Sequence, residues 1–280
     1  MTRNLLRALS VRGRRTAAIG AGVLLLLAVA AVVGPGLSPY DYAQQDLGAY
    51  FSPPSAEHPL GTARLGEDVL AQCLRGMQKS LVIGLLAAVA STTLAAVVGT
   101  LAGYLGGAVD RVLMALVDVL LVLPSILVVA VLSPALRGES WLVLVVLIAA
   151  FEWMLTARVV RARARSLRTA DFVAAAEYMG ASVPRVVFRH LLPQMAPLLL
   201  IDCTMNVAKA ILAEAGLSYF GFGVQPPDIS LGTLVSVGSA SALTFPWMFL
   251  APVGFLVATV LGVGMLGEGL RAELDEERKA

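Results

Sequence analysis

Long uncharged runs recur along this chain, and each is close to the length that an α-helix needs to cross a bilayer. A bilayer core about 30 Å thick requires roughly 20 apolar residues in a helix, because no backbone polar group can stay unpaired in lipid. Only 14% of the 280 residues are charged, against about 25% in a typical soluble domain. A water-soluble enzyme is therefore excluded, and an all-α polytopic membrane protein is favoured over a secreted protein with several apolar runs. The six predicted spans are about Ala17–Leu37, Ser80–Leu105, Val112–Val131, Trp141–Val160, Leu191–Ala213 and Phe245–Leu266.

The first run has two interpretations. Basic residues precede it and Ala28-Val29-Ala30 resembles a cleavage site, as in a secretory signal peptide. Its apolar stretch of about 21 residues is long for the apolar core of a signal peptide. We therefore expect an uncleaved transmembrane helix at 17–37, which follows a cytoplasmic tail at 1–16.

The distribution of Lys and Arg sets the orientation, because cytoplasmic loops carry an excess of both. If the N-terminus is cytoplasmic, the basic residues that face the exterior are few: Arg64, Arg75, Lys79 and Arg137. Those that face the cytoplasm are far more numerous: Arg3, Arg7, Arg12, Arg14, Arg15, Arg111, Arg158, Arg161, Arg163, Arg165, Arg168, Arg185, Arg189, Arg271, Arg278 and Lys279. Both termini are therefore predicted to be cytoplasmic. The block from Arg158 to Arg168 is either ordinary positive charge on the inner side or a contact with lipid headgroups or an ATPase.

Two predicted segments between the spans are long: an extracytoplasmic segment at 38–79 and a cytoplasmic loop at 161–190. In the first, Val69, Leu70, Cys73, Leu74 and Met77 recur at helical spacing. This pattern predicts either an amphipathic helix on the outer surface or a simple lead-in to the second span. The remaining divisions are a helical core at 80–268 and a cytoplasmic tail at 269–280.

The sequence offers nothing for catalysis. It contains no Gly-Lys pair and so no nucleotide-binding P-loop. Its two histidines, His58 and His190, have no neighbouring pair of carboxylates or cysteines, and Cys73 and Cys203 are far apart. The formal charge of +2 is too small to indicate nucleic acid. We expect a protein that is not an enzyme and that has no metal, cofactor or nucleic-acid site.

The cytoplasmic loop carries a more specific pattern. Asp171 can begin a helix, Ala174–Ala176 are strong helix formers, and Gly180 can end the helix in a left-handed turn. The prediction is a short helix of about two to three turns with a small-residue face. Such a face permits close approach by another surface, which a simple connection between spans would not need.

This stretch resembles the "EAA" loop of ABC importer permeases. The pattern of that loop is Glu-Ala-Ala, three residues, Gly, nine residues, a branched apolar residue, any residue and Leu-Pro, and Leu192 falls in register with it. Ala174 stands where Glu is usual, and His190 is similar to the form in oligopeptide and dipeptide permeases. The resemblance assigns contact with an ATPase to Ala174, Ala175, Ala176, Glu177, Gly180, His190 and Pro193.

Two further stretches resemble the C-type permease subunit of the same family. The first begins His58-Pro59-Leu60-Gly61-Thr62, although Ala63 and Glu67 depart from the family's Asp and Arg. The second begins Glu214-Ala215-Gly216-Leu217-Ser218 and continues to Pro226-Pro227. With Asp118 and Pro124, the resemblance covers roughly residues 58 to 270.

The resemblance implies the six-helix fold of a type I ABC importer permease in the bacterial cytoplasmic membrane, with both termini inside. It implies a heterodimer with a second homologous permease, two ATPase subunits beneath it, and an extracytoplasmic binding protein that delivers oligopeptides or dipeptides. Nickel chelates or haem are alternative cargoes, because related permeases share these signatures. A self-contained channel or ion-coupled carrier is an alternative of another class, but it would leave the cytoplasmic helix without a role.

Ionisable groups inside the spans should face protein or water, because each costs at least about 2.5 kcal/mol in lipid. Asp202, Asn206 and Lys209 fall on one helical stripe, which predicts either a lining of the substrate pathway or polar contacts between helices. Glu152 is a second candidate for that lining. Two structural expectations complete the set: Asp118 pairs with Arg158 or Arg161, and a close-packing helix face is formed by Gly99, Gly103 and Gly107.

Overall fold

The computed structural model describes residues 2–132 and 140–277, with side chains at 13–132 and 140–274. Arg137, Arg278 and Lys279, which contributed to the predicted orientation, lie outside the described residues, as do the side chains of Arg3, Arg7 and Arg12. Helices dominate the described ranges, where extended backbone pairs in an isolated bridge between Thr62 and Asp68. The helices are α1 (Thr2–Leu37), α2 (Val69–Leu105), α3 (Gly107–Val122), α4 (Ser125–Leu132), α5 (Trp141–Arg168), α6 (Asp171–Tyr178), α7 (Val183–Val186), α8 (Leu192–Tyr219), α9 (Leu231–Ser239) and α10 (Trp247–Glu277).

Six membrane spans are consistent with these helices, as predicted. Five helical stretches are long and apolar enough to cross a bilayer by themselves, and α3 with α4, which are bent by 77°, make a sixth if the pair is counted as one span. The bend follows from Pro124, which disfavours helical backbone in the residue before it. Leu123 accordingly has extended backbone, with φ −76° and ψ 121°.

Several helices extend beyond the predicted spans. Helix α1 begins at Thr2 and α10 continues to Glu277, so the predicted tails at 1–16 and 269–280 are helical over most of their length. The nitrogen Nε of Arg14 lies 3.1 Å from Oε1 of Glu273, which brings the inner ends of these two helices together.

Helix α2 begins at Val69, well before the predicted Ser80. Of the two alternatives for this stretch, the structure has the lead-in to the span, and a separate amphipathic helix on the outer surface was the wrong one. The physical reason is that its apolar face is covered by protein. Cys73 packs beside Ala63 and Met248, and Met77 packs in a second buried cluster that contains Leu231.

Helix α2 is central, because it packs along α5, α8 and α1. Two of the three predicted glycines explain its close contact with α5. A Cβ atom on Gly99 or Gly103 would lie 2.5 Å from a carbonyl oxygen of α5, that of Ala157 or Arg161 respectively. For Gly107 the prediction was wrong: its φ is +57°, no atom lies within 4 Å of a Cβ there, and it serves the turn from α2 into α3.

Helices α1 and α10 also meet through small residues, a contact that the sequence analysis missed. A Cβ atom on Gly20 would lie 2.5 Å from the backbone nitrogen of Leu266 and 2.8 Å from the carbonyl oxygen of Gly262. Small residues at the contact between two helices let their backbones approach closely in a membrane. The first apolar run thus packs against α10 as part of the helical bundle, and its retention as an uncleaved span stays a prediction.

Replacing Gly20 with leucine is expected to lower the free energy of unfolding by about 1–3 kcal/mol, because backbone atoms of α10 occupy the space that the side chain needs. Gly22 offers a matched control on the same helix, since a Cβ there has no neighbour within 4 Å. Gly22→Leu should be neutral or slightly stabilising, because leucine has the higher helix propensity. Thermal unfolding of both variants in detergent checks this, and equal stability of the two would contradict the packing argument.

Candidate functional site

The short cytoplasmic helix predicted from the sequence is α6. Asp171 is its first residue and Ala170 is the cap, so Asp171 acts as a negative charge in the first turn, which suits the helix dipole. Gly180 has a φ of +78°, as predicted for a left-handed turn. Its N–H donates to the carbonyl oxygen of Glu177 at 2.9 Å, and the N–H of Ala181 donates to that of Ala176 at 3.0 Å. This turn ends α6 sharply and sends the chain into α7.

One face of α6 is buried and its C-terminal end projects into solvent. Val173 and Ala176 are buried, and Val173 packs in a cluster with Tyr104 of α2 and Val160 of α5. At the other end, Tyr178 is 93% exposed and the adjoining Met179 is 81% exposed. Two large apolar side chains in this position form an exposed tip, which we call the α6 tip.

A hydrogen bond anchors α6 to the long helix α2. The hydroxyl of Tyr104, near the inner end of α2, donates to Oε1 of Glu177 at 2.7 Å. Glu177 itself is exposed, and of the three alanines before it Ala174 is half-buried, Ala175 exposed and Ala176 buried. The residues of α6 that the resemblance assigns to contact with an ATPase therefore face both the protein and the solvent.

The two remaining residues assigned to contact with an ATPase, His190 and Pro193, lie after α7. His190 is half-buried in a π-helical turn, Val187–Leu191, and Pro193 is exposed in the first turn of α8. Val186 and Leu191 pack in the same buried cluster as Val173 of α6. The predicted loop is thus one packed unit rather than an extended connection.

The polar stripe on α8 consists of Asp202, Asn206 and Lys209, and these residues have different hydrogen-bond partners. Oδ2 of Asp202 accepts hydrogen bonds from the hydroxyl of Thr156 on α5 and from Nδ2 of Asn206 at 3.2 Å. Asn206 is fully buried, and its Nδ2 also lies 3.4 Å from the hydroxyl oxygen of Thr92 on α2. Lys209 donates to Oδ1 of Asn206 at 3.0 Å. Asp202 and Asn206 therefore make polar contacts between helices, and a lining of the substrate pathway by this stripe stays a prediction.

Glu152 has a different environment. It lines a cavity of about 220 Å³ between α4, α5 and α8, together with Ser125 of α4 and Gly216 of α8. Its Oε2 atom is buried and has no hydrogen-bond partner in the described part of the chain. The structure therefore separates Glu152 from the hydrogen-bonded stripe.

Two family descriptions match the chain. Residues 95–272, more than half of the sequence, match "Binding-protein-dependent transport system inner membrane component". Residues 10–54 match "N-terminal TM domain of oligopeptide transport permease C". The chain belongs to the oligopeptide permeases of ABC importers. The family predicted from the motifs is thus confirmed, and with it an all-α, multi-pass protein of the bacterial inner membrane.

Individual relatives agree with this assignment over nearly their whole length. An "Oligopeptide transport system permease protein OppC" of Mycobacterium tuberculosis is 49% identical over 262 residues, which are 93% of this chain and 90% of that protein. The protein of the same name in Bacillus subtilis is 34% identical over 268 residues, 95% and 87% of the two chains. A "Putative peptide permease protein" of Brucella suis is 36% identical over 263 residues, 93% and 87%.

The extracytoplasmic signature of this permease has a structural role. Nδ1 of His58 lies 2.9 Å from Oδ2 of Asp68, and both side chains are buried. Oδ1 of Asp68 caps α2 by accepting from the N–H of Ala71 at 2.7 Å. The indole N–H of Trp247 donates to the carbonyl oxygen of Thr62 at 3.2 Å. The signature therefore joins the outer ends of α2 and α10.

The second signature of the permease contains a buried carboxylate whose role the sequence analysis missed. Glu214 is fully buried, and its Oε1 accepts from the hydroxyls of Ser218 and Ser230 at 2.6 Å each. Its Oε2 accepts from the hydroxyl of Ser80 on α2 at 3.2 Å, and Ser80 in turn accepts from the N–H of Leu231 at 3.1 Å. One side chain thus links α2, α8 and α9. An acidic residue near the end of an apolar run was the available signal.

Ion pairs join α5 to α3 in the inner half of the permease. Arg158 of α5 pairs with Asp118 of α3, which was one of the two predicted partners. Arg161, the other candidate, forms two hydrogen bonds with Asp110. Part of the arginine block therefore binds α3 in addition to its predicted positive-inside role.

Proposed function

We propose that this permease is the C-type transmembrane subunit of an ATP-driven oligopeptide or dipeptide importer. It would form the translocation pathway with a second homologous permease, bind two ATPase subunits from the cytoplasm, and receive peptides from an extracytoplasmic binding protein. The observation that carries the coupling role is the α6 tip: Tyr178 and Met179 are largely exposed beside a helix that is anchored on its other face.

The contacts of α6 suggest how movement of an ATPase would reach the membrane. The bond from Tyr104 to Glu177 ties α6 to α2, and the packing of Val173 against Val160 ties it to α5. Helix α2 packs along α5 and α8, so these helices would move together. Closure of the ATPases would thereby rock the bundle between inward-facing and outward-facing states, a rigid-body transition.

Ala174 bears on the chemistry of this contact, because it stands where the family's Glu is usual. An alanine supplies no charge for a cation of the ATPase to pair with. We therefore assign the binding energy to burial of the apolar tip rather than to an ion pair. Aromatic side chains and methionine are enriched in interfaces of this kind.

Peptide is the cargo that the comparisons favour, since the relatives described above are named as oligopeptide or peptide permeases. Nickel chelates and haem remain alternative cargoes with no observation in their favour. ATP hydrolysis is assigned to the partner subunits. A self-contained channel would conduct solute by itself, whereas this permease in liposomes without partners should transport nothing.

The proposal is tested by ATP-dependent uptake of a labelled peptide into proteoliposomes that contain both permeases, the ATPases and the binding protein. The sharpest variants are at Gly180, whose φ of +78° costs other residues about 1–2 kcal/mol, with valine worse than alanine and asparagine better. Because a Cβ on Gly180 meets nothing within 4 Å, the series changes backbone strain and not packing. Uptake should fall in the order Asn, Ala, Val, with Val at least about tenfold below wild type. Equal uptake by all three would contradict a coupling role for this turn.

A further inference from the structure

The cavity around Glu152 is the strongest unassigned feature of the described permease. It lies between α4, α5 and α8, near the middle of α5, and its walls are mostly apolar, with Phe151, Ile148 and Leu212 among them. Its volume of about 220 Å³ is below the range of roughly 300–1,000 Å³ that is usual for whole small molecules. The cavity therefore suits one end or one side chain of a larger ligand.

The Oε2 atom of Glu152 indicates what that ligand end would carry. Buried polar atoms in proteins nearly always have a hydrogen-bond partner, and this one has none in the described residues. A carboxylate in an apolar membrane site is also costly without a cation. In its ionised form this carboxylate only accepts hydrogen bonds, so the partner that fits it is a donor, and a positively charged donor would compensate the most.

Lys209 does not fill this role. It is close enough to Glu152 for electrostatic attraction, but no ion pair joins the two in the described part of the chain, and its ammonium group donates to Asn206. Asp202 is likewise occupied, by Thr156 and Asn206. Glu152 is thus the acidic group of the predicted pathway set that is left open to a ligand.

We propose that this cavity is a subsite for an ammonium group of the transported peptide, with the adjoining aliphatic part against the apolar wall. The inference rests on the proposed function, since it names which part of the cargo the permease contacts. The ammonium group has two sources, the N-terminus of the peptide and a lysine side chain. The two share one chemistry, and peptides that carry only one of them distinguish the sources.

The test uses the complete importer in proteoliposomes and three labelled peptides of equal length: one with a free N-terminus and no lysine, its N-acetylated form, and an N-acetylated form with lysine. For each peptide, the ATP-dependent uptake rate of Glu152→Gln is divided by that of wild type. The same binding protein delivers the peptide in both cases, so its own preference cancels in the ratio. Glutamine keeps the volume of the side chain and removes the charge.

The acetylated peptide without lysine carries no ammonium group, so its uptake ratio is the reference. We expect the ratio for at least one of the two ammonium-bearing peptides to be at least about fivefold lower than this reference. A fivefold difference corresponds to about 1 kcal/mol. Glu268→Gln is the matched control, because Glu268 is exposed on α10, and it should leave all ratios equal. An equal fall for all three peptides would assign Glu152 to the fold alone, and no change would mean that the cavity holds only water. Either result overturns the proposal.

A second variant keeps the proposal testable if Glu152→Gln is unstable. Gly216 lines the same cavity, and a Cβ on it meets no atom within 4 Å. Gly216→Leu should fill the cavity, keep Glu152 and produce the same loss of selectivity for ammonium-bearing peptides, whereas unaltered ratios would overturn the proposal. If the wild-type importer takes up none of the peptides, the proposed function itself fails, which is a distinct result.

Discussion

Replacing both Tyr178 and Met179 with aspartate is expected to abolish binding of the ATPase subunits while the permease remains folded. These side chains are 93% and 81% exposed and make up the α6 tip. Central aromatic and apolar residues of an interface typically cost about 2 kcal/mol or more each when they are lost. Two such losses lower the affinity by about a thousandfold, and each new carboxylate would also have to be desolvated in the interface with the ATPase.

Co-purification of the ATPases with the tagged permease from detergent checks this result. The matched control is Leu47→Asp with Leu243→Asp, which also places two carboxylates at exposed apolar positions but on the extracytoplasmic side. That control should retain the ATPases. Normal ATPase binding by the α6 tip variant would remove this surface as the point of contact, and thermal unfolding separates loss of binding from loss of the fold.

Glu214→Ala is expected to destabilise the permease by about 3 kcal/mol or more. The substitution removes the acceptor of the hydroxyls of Ser80, Ser218 and Ser230, all of them buried. A buried donor without a partner costs about 1–3 kcal/mol, and the space left by the side chain adds a cavity term. The loss would separate α9 and the outer half of α8 from α2.

Glu214→Gln separates hydrogen bonding from packing, because its amide oxygen can still accept and its volume is nearly unchanged. It should be less destabilising than Glu214→Ala. Glu268→Ala, at an exposed position of α10, serves as the control for removal of a carboxylate and should change stability little. Unfolding of the purified variants in a titration with denaturing detergent measures all three. A stability of Glu214→Ala close to that of Glu268→Ala would contradict the structural role.

The two signatures of the extracytoplasmic side share one physical logic. Asp68 binds both His58 and the first turn of α2, and Glu214 binds serines from α2, α8 and α9. In each case a buried carboxylate accepts bonds from elements that are distant along the chain. These residues of the family pattern therefore hold the outer ends of the helices together, whereas the proposed contact with the ATPases lies on α6 at the inner side.

The sequence alone predicted the apolar helical stretches, the position of α6 and the family. Length and polarity are local properties: about 20 apolar residues fix a span, and Ala174–Ala176 followed by Gly180 fixes a short helix with a left-handed end.

Only the tertiary structure decided what the polar residues in the spans contact. Asp202, Asn206 and Glu152 satisfy the same sequence criterion, yet the first two are bonded to each other and to threonines of other helices while Glu152 faces a cavity. Helical periodicity gives the face on which a side chain lies, but the neighbour of that face depends on how separate helices pack.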